Sequence, residues 1–556
     1  MRLGSTGLRD SESVRSPAAM LAIVLLAVAP YLQTLGFSFL AWDDDRNVYA
    51  NPWLLSGHWW QFWTQPYYGL YVPLPYTLWA FLRLFSDQPS LFHAANVVLH
   101  ALNTALVVLV IRRLLAYGET PVRRPMLLPA LVGGCLFALH PFQCETVAWV
   151  SGLRDLSSAS FLLLSIVIFV APAVRCPTHF VWAFVSFVLS LLCKPSAVIL
   201  PVALLCLNQV YMRRTAKDSL RFLAPWFAAA IMVAVATYMI QVETILPEQA
   251  LMGFAQRCWV ALDSLGFYLT RLVVPLFHAA DYGRTPEVVL AQGSWLYPSI
   301  GATFVVICMV AMLSGRRSPV LGGLVFALVV MLPTSGIVSF AFQRISTVSD
   351  RYMYLPMMGF ALALAALTRL MPTKVQVAAL VLCLPLGLAA ATQARSWSND
   401  ADFYQAMLAN NPTSFSANSG LGTVALGRGE LQKALGYYEV ALAQQPINVL
   451  ALANLGLALG HLGRFREVVE RVAPFIPDEA QIKRNPLSAL AIARMFEVVG
   501  FAQVQLGQVS AGLAAYLRAR DLDPTNPAMA ANVAALQAQE HSPTRASVPG
   551  EAAAKH

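Results

Sequence analysis

The residues best equipped for chemistry in this chain are three consecutive acids. Asp43, Asp44 and Asp45 stand in "AWDDDRNVYANPW" (residues 41–53), directly after an apolar run. Carboxylates are expensive in hydrocarbon, so they belong at a membrane interface or in a wet cavity. An aromatic stretch follows, "WLLSGHWWQFWTQPYYGLYVPLPY" (residues 53–76). Aromatics and prolines at this density suggest helices lying on a membrane surface. Paired carboxylates beside such a shelf suit general-base chemistry on a polar acceptor. A solvated acidic loop would carry the same residues. Asp43 and Asp44 are also the side chains that would hold a divalent cation, if one is needed. No other cofactor is implied.

Three further clusters offer partners for that chemistry. "LHPFQCETVAWVSGLRD" (residues 139–155) supplies His140, Glu145, Trp149, Arg154 and Asp155. Lys194 stands before Pro195 in "CKPS", between two apolar runs with almost no loop. "FQRISTVSDRY" (residues 342–352) supplies Asp350, Arg351 and Tyr352. A lysine at a membrane surface either snorkels or holds a phosphate, and guanidinium groups suit phosphate oxygens. An acid base with a cationic clamp fits transfer of a group from a lipid phosphate to an acceptor outside the cytoplasm. There is no zinc-ligand spacing, P-loop or GxSxG. The eight cysteines are scattered in or beside apolar segments without a CxxC, as small core residues would be.

The elements that must position these groups are helical. Of 556 residues, 57% are hydrophobic and 12% charged. A soluble chain would carry roughly twice that charge, so this is a polytopic helical membrane protein. The net charge of +9 sorts against the membrane and implies no nucleic-acid partner. Apolar windows place spans near 18–37, 91–112, 126–142, 156–173, 179–193, 195–211, 222–241, 295–314, 318–338, 352–370 and 375–393. With the N-terminus cytoplasmic and 257–277 lying on the outer face, the basic groups Arg2/Arg9/Arg15, Arg112/Arg113, Arg123/Arg124, Arg175, Arg213/Arg214/Lys217/Arg221, Arg316/Arg317 and Arg369/Lys374 all fall inside, as the positive-inside rule asks. Eleven spans result. All the candidate site residues then converge on the outer face.

From about Trp397 the composition becomes that of a soluble helical domain. Leu421-Gly422, Ala434, Tyr438, Ala441 and Pro446 sit at tetratricopeptide offsets. Leu455-Gly456 opens a second unit, with an insertion around 476–490. Gly500, Tyr516, Ala519 and Pro524 mark a third. The expected fold is therefore all-α: a cytoplasmic N-terminus (1–17), a transmembrane domain (18–394) with its first outer loop at 38–90, a tetratricopeptide repeat solenoid (395–540) and a disordered tail (541–556).

Together, "WDDDRNVYANP", "LHPFQCETVAWVSGLRDLSS", "LLCKPSAVILP", "SDRYMYLP" and "RSWSNDADFYQAMLANNP" resemble the transmembrane and tetratricopeptide repeat-containing family, C-type glycosyltransferases related to protein O-mannosyltransferases. The resemblance runs over about 18–540, in order. It implies a polyprenyl-phosphate-linked sugar as donor, an acceptor protein bound by the repeats with a Ser/Thr hydroxyl as target, and a base on the first outer loop. Asp43 and Asp44 match the family's acidic pair. Lys194, Arg154 and Arg351 are the expected donor-phosphate residues, and His140, Glu145, Trp149, Asp155, Asp350 and Tyr352 match its other motifs. The implied place is a bacterial inner membrane with the repeats in the periplasm. Other readings are a glycolipid or polysaccharide acceptor, a lipid-linked sugar flippase, and a non-catalytic repeat scaffold.

Overall fold

The computed structural model describes residues 6–117, 126–171, 176–212, 215–241, 252–276, 278–314, 318–484 and 489–540. Arg2, Arg123, Arg124, Arg175, Arg213, Arg214, Arg316, Arg317 and the 541–556 tail lie outside the described residues, as do the side chains of Arg9 and Arg15. Among the described residues the chain is helical, with one isolated β-bridge, Tyr67 to Leu70, in the first loop. It divides into two compact units, residues 1–403 and 404–556.

The first unit is built from apolar helices. Among the described residues, six are long and apolar enough to cross a membrane: Pro17–Gly36, Pro89–Ala116, Val150–Phe169, Ala216–Gln241, Leu296–Leu313 and Thr373–Trp397. A bent pair, Leu127–Leu139 with Pro141–Ala148, adds a seventh if it is one broken span. By this composition the chain is an integral membrane protein. The four remaining windows coincide with shorter apolar helices, Pro177–Cys193, Pro195–Val210, Pro319–Thr334 and Pro356–Thr368. The 257–277 stretch forms the helix Phe254–Val273, which buries Asp263 through an ion pair with Arg284.

Proline sets many of the helix starts. Pro73, Pro89, Pro177, Pro195, Pro319 and Pro356 all stand in the first turn of a helix, where a missing N–H costs nothing. The residue before a proline is pushed out of the helical region, and two candidate site residues sit at such breaks. His140 (φ −68, ψ 134) ends Leu127–Leu139, and Lys194 (φ −155, ψ 123) ends Pro177–Cys193. Gly323 and Gly359 let Pro319–Met331 and Pro356–Thr368 cross at backbone contact. A Cβ on either would meet the other's carbonyl oxygen at 2.6 Å.

The second unit is a succession of helices: Phe415–Gly427, Leu431–Gln444, Val449–His461, Phe465–Val472, Ala489–Gln505, Val509–Leu522 and Pro527–Glu540. Ser414 and Asn448 cap two of them by accepting from backbone N–H groups. Gly429, Gly463 and Gly507, with φ of 73°, 71° and 80°, occupy the tight turns between paired helices, a conformation glycine adopts without a Cβ penalty. Gly422 lets one helix of a pair meet the Tyr438 ring of the other, which a Cβ would approach to 2.7 Å.

Candidate active site

The chain just before the acids is held by two hydrogen bonds to residues 398–400. Ser38 N donates to Ser398 O at 2.9 Å, and Ala41 N to the Asp400 carboxylate at 2.8 Å. Asp43 is an exposed non-glycine residue at φ 70°, a conformation that costs an L-residue roughly 1–2 kcal/mol. Asp44 is the opposite case, with no exposed surface. Its Oδ1 accepts from Ser151 N at 2.9 Å and Ser151 Oγ at 2.6 Å, and its Oδ2 from Leu40 N at 3.0 Å. Burial pushes the Asp44 carboxyl up to about 7, against the pull of those three donors. Asn47 extends the contact, donating to Ser151 Oγ at 3.0 Å and accepting from the Tyr76 hydroxyl at 2.9 Å. The Trp149 indole donates to Trp42 O at 2.8 Å. The acids after the first span are thus fastened to the segment that carries Trp149, Ser151, Arg154 and Asp155.

That segment leads to a pocket of about 470 Å³, whose lining includes Asp155, Lys194, Arg351 and Tyr352. Four residues from three distant stretches of sequence meet there. Lys194 pairs with Asp155, and its ammonium lies 5.6 Å from the centre of the Tyr352 ring. Burial lowers the Lys194 pKa, and Asp155 opposes the shift. The Arg351 guanidinium pairs with Glu145 and sits over Phe342, Tyr352 and Trp149, at 4.1, 4.9 and 5.7 Å from their centres. Arg154 flanks Trp149 at 5.9 Å and bonds Ser151 O at 3.4 Å. The rest of the wall mixes apolar side chains such as Leu162, Val330 and Leu355 with the hydroxyl-bearing Ser158, Ser196, Thr334 and Tyr354. The C-terminal end of Pro319–Thr334, with Ser335 after it, has a second use. Val330 and Thr334 face this pocket, while Met331 and Ser335 face an apolar slot of about 430 Å³.

The remaining candidates take other positions. Glu145, 2% exposed, stands behind Arg351 and also accepts from Ser349 Oγ at 2.8 Å and Arg351 N at 3.0 Å. Asp350 is buried beneath the pocket and accepts from His278 Nδ1 at 2.6 Å and the Tyr282 hydroxyl at 2.8 Å. His140 does not join the pocket. Its Nδ1 accepts from Phe142 N at 3.2 Å, capping the break before Pro141, and its Nε2 bonds Leu272 O at 3.2 Å. Both ring nitrogens are used by the backbone, and a helix break explains the residue.

Asp43 and Asp44 do not make a metal cradle. Asp44 has donors on both oxygens and Asp43 faces out, and among the described residues no three His, Cys, Asp or Glu side chains gather where they could hold a cation. The sequence reading missed Ser151, Tyr268, His278, Tyr282 and Ser349. Ser151 and Ser349 lie inside motifs already singled out. Tyr268 lies in the 257–277 stretch, already read as an outer-face segment, and His278 and Tyr282 fall just after it.

No family model matches the chain. It is 36% identical over 153 residues to protein O-mannosyl-transferase Tmtc2 of Drosophila melanogaster, covering 25% of this chain and 15% of that protein. It is 34% identical over 155 residues to the same organism's Tmtc1, and 30% identical over 153 residues to tmtc2 of Xenopus laevis. The matches cover 25% of this chain and 16% and 17% of those two proteins, so the chain spans only about a sixth of the relatives it matches. Over that quarter of its own length, the chain is similar to proteins named protein O-mannosyl-transferases.

Proposed function

We propose that this protein is a membrane glycosyltransferase that moves a sugar from a polyprenyl phosphate to a Ser/Thr hydroxyl of an extracytoplasmic protein. The observation that carries this is the meeting of Lys194, Arg351, Asp155 and Tyr352 in one part-apolar pocket, tied through Ser151 and Trp149 to the acidic loop. The names of its relatives support a transferase acting on proteins.

The reaction is a single inverting displacement. The acceptor hydroxyl gives its proton to Asp43 as its oxygen bonds the anomeric carbon. The bond from that carbon to the phosphate oxygen breaks, and the electron pair leaves with the phosphate. Asp43 is the better base because it is exposed and held at φ 70°, the kind of strain that collects at functional sites. Asp44, with both oxygens engaged, aligns the loop. Lys194 and Arg351, with Arg154 near, offset the charge that grows on the leaving phosphate. Asp155 and Glu145 keep the empty pocket close to neutral. The apolar slot beyond Met331 suits part of the prenyl chain.

The second unit is a tetratricopeptide-type array that captures the acceptor protein. All eleven apolar helices cross the membrane, with the acidic loop and the array on the outer side of a bacterial inner membrane. The test gives purified protein a panel of radiolabelled polyprenyl-phosphate sugars and a periplasmic extract. Label on protein supports the proposal; label on lipid or glycan keeps the chemistry and changes the acceptor; binding of extract proteins without transfer from any donor leaves a scaffold.

A further inference from the structure

The turn that presents Arg351 is held at three consecutive residues by three different elements. Ser349 N donates to the Tyr268 hydroxyl at 2.8 Å, and that hydroxyl donates to Ser349 O at 3.1 Å. Asp350 takes the His278 and Tyr282 bonds, one on each carboxylate oxygen. Arg351 N and its guanidinium go to Glu145. Tyr268 belongs to the helix Phe254–Val273, and His278 and Tyr282 to the segment that follows it. Glu145 belongs to the helix Cys144–Ala148.

His278 is the unusual member. Its side chain and that of Asp350 are each 3% exposed. Nδ1 lies 2.6 Å from Asp350 Oδ2 and is placed to donate to that carboxylate. Among the described residues, Nε2 is buried without a hydrogen-bond partner. A buried imidazole that uses one nitrogen and leaves the other bare is not there to satisfy the backbone, as His140 is. It supplies one donor to one carboxylate, and that carboxylate immediately precedes Arg351.

We propose that His278 is a positioning residue for donor binding: through Asp350 it fixes the Asp350–Met353 turn so that Arg351 and Tyr352 point into the pocket. Without the Nδ1 donor, Asp350 keeps only Tyr282 and is a buried, half-paired carboxylate. The turn then relaxes toward water and carries the guanidinium off its place over Tyr352. The proposal rests on the reading that the pocket takes the donor's phosphate.

The geometry makes a specific demand on substitutions. An asparagine amide nitrogen falls near the place of histidine Nδ1, whereas that of glutamine falls near Nε2. The full-length protein in detergent, titrated with a short-chain polyprenyl monophosphate, reads the effect. His278→Ala and His278→Gln should each weaken binding by about tenfold, the loss of one hydrogen bond to a charged group, while His278→Asn stays near wild type. In an Arg351→Gln background, His278→Ala should add nothing, because the residue it positions is gone. A full additive loss there, or His278→Asn no better than His278→Gln, overturns the positioning role. If His278→Ala does not fold, the Asn and Gln pair decides. Arg351→Gln binding like wild type would overturn the pocket assignment and this proposal with it. A loss in Arg351→Gln with none in His278→Ala would remove the positioning role alone.

Discussion

The two halves of the candidate site handle charge in opposite ways. In the acidic loop, Asp44 is buried with no cation partner among the described residues; a serine hydroxyl and two backbone N–H groups hold it. In the pocket, Lys194 and Arg351 each stand beside a carboxylate. Neutral donors cannot fully offset the desolvation of a carboxylate, so the loop half has a group that titrates near neutrality. In the pocket half each buried charge has an oppositely charged neighbour instead. A phosphate entering the pocket meets cations that were never desolvated alone. It only has to compete with Asp155 and Glu145 for their attention. In the proposed reaction exposed Asp43 takes the proton while buried Asp44 holds the loop, and the cations of the pocket half offset the charge of the phosphate.

The sharpest way to break this contrast is at Asp43. Asp43→Gly relieves the φ 70° strain, so it should raise stability by about 1 kcal/mol while lowering sugar transfer by about 10³-fold, within the range for a lost general base. A melting curve beside a turnover assay checks both signs together. Next comes the pocket. Arg351→Gln leaves Glu145 buried without its cation, at a cost of about 3 kcal/mol, and donor binding should fall by about 100-fold, as expected for a charge-assisted contact. Lys194→Gln, at a group 24% exposed, should lose about tenfold, closer to the value of a screened pair. Equal losses would mean that the two cations are not ranked by burial.

A smaller effect sharpens the loop half. The folded Asp44 pKa of about 7 lies above the roughly 4 of an unfolded aspartate. Between those values the folded chain holds a proton that the unfolded chain has lost. Asp44 therefore makes stability fall as pH rises from about 4 to about 7, and level off above that. Melting temperature against pH should show that slope in wild type and lose it in Asp44→Asn. The smallest effect is remote from both halves. Gly422→Ala drives a Cβ to 2.7 Å from the Tyr438 ring and should destabilise the second unit by about 1–3 kcal/mol, leaving polyprenyl phosphate binding unchanged by titration.

Much of the frame was legible because its signals repeat. Each apolar window falls on a helix, since about 20 residues without charge leave the backbone few alternatives. The glycine turns at Gly429 and Gly463 stand 34 residues apart, at the spacing that Leu421-Gly422 and Leu455-Gly456 had already shown. The site was half legible. Acids and cations at helix breaks announce themselves, and Lys194 and Arg351 do share a pocket. Single positions were harder. Asp43 and Asp44 are adjacent and chemically identical, and only φ and burial separate them. His140 looked like chemistry and is a cap, because a His-Pro break is read the same way in either role. His278 sits in a stretch with no periodic pattern, so its approach to Asp350 is a tertiary fact that no local spacing encodes.

The most direct test compares wild type, Asp43→Asn and Asp44→Asn in transfer of a radiolabelled sugar from polyprenyl phosphate to protein. If Asp43 is the base and Asp44 its support, label should reach protein with wild type, disappear with Asp43→Asn and persist at a reduced level with Asp44→Asn. Full labelling by Asp43→Asn would contradict the account at its centre.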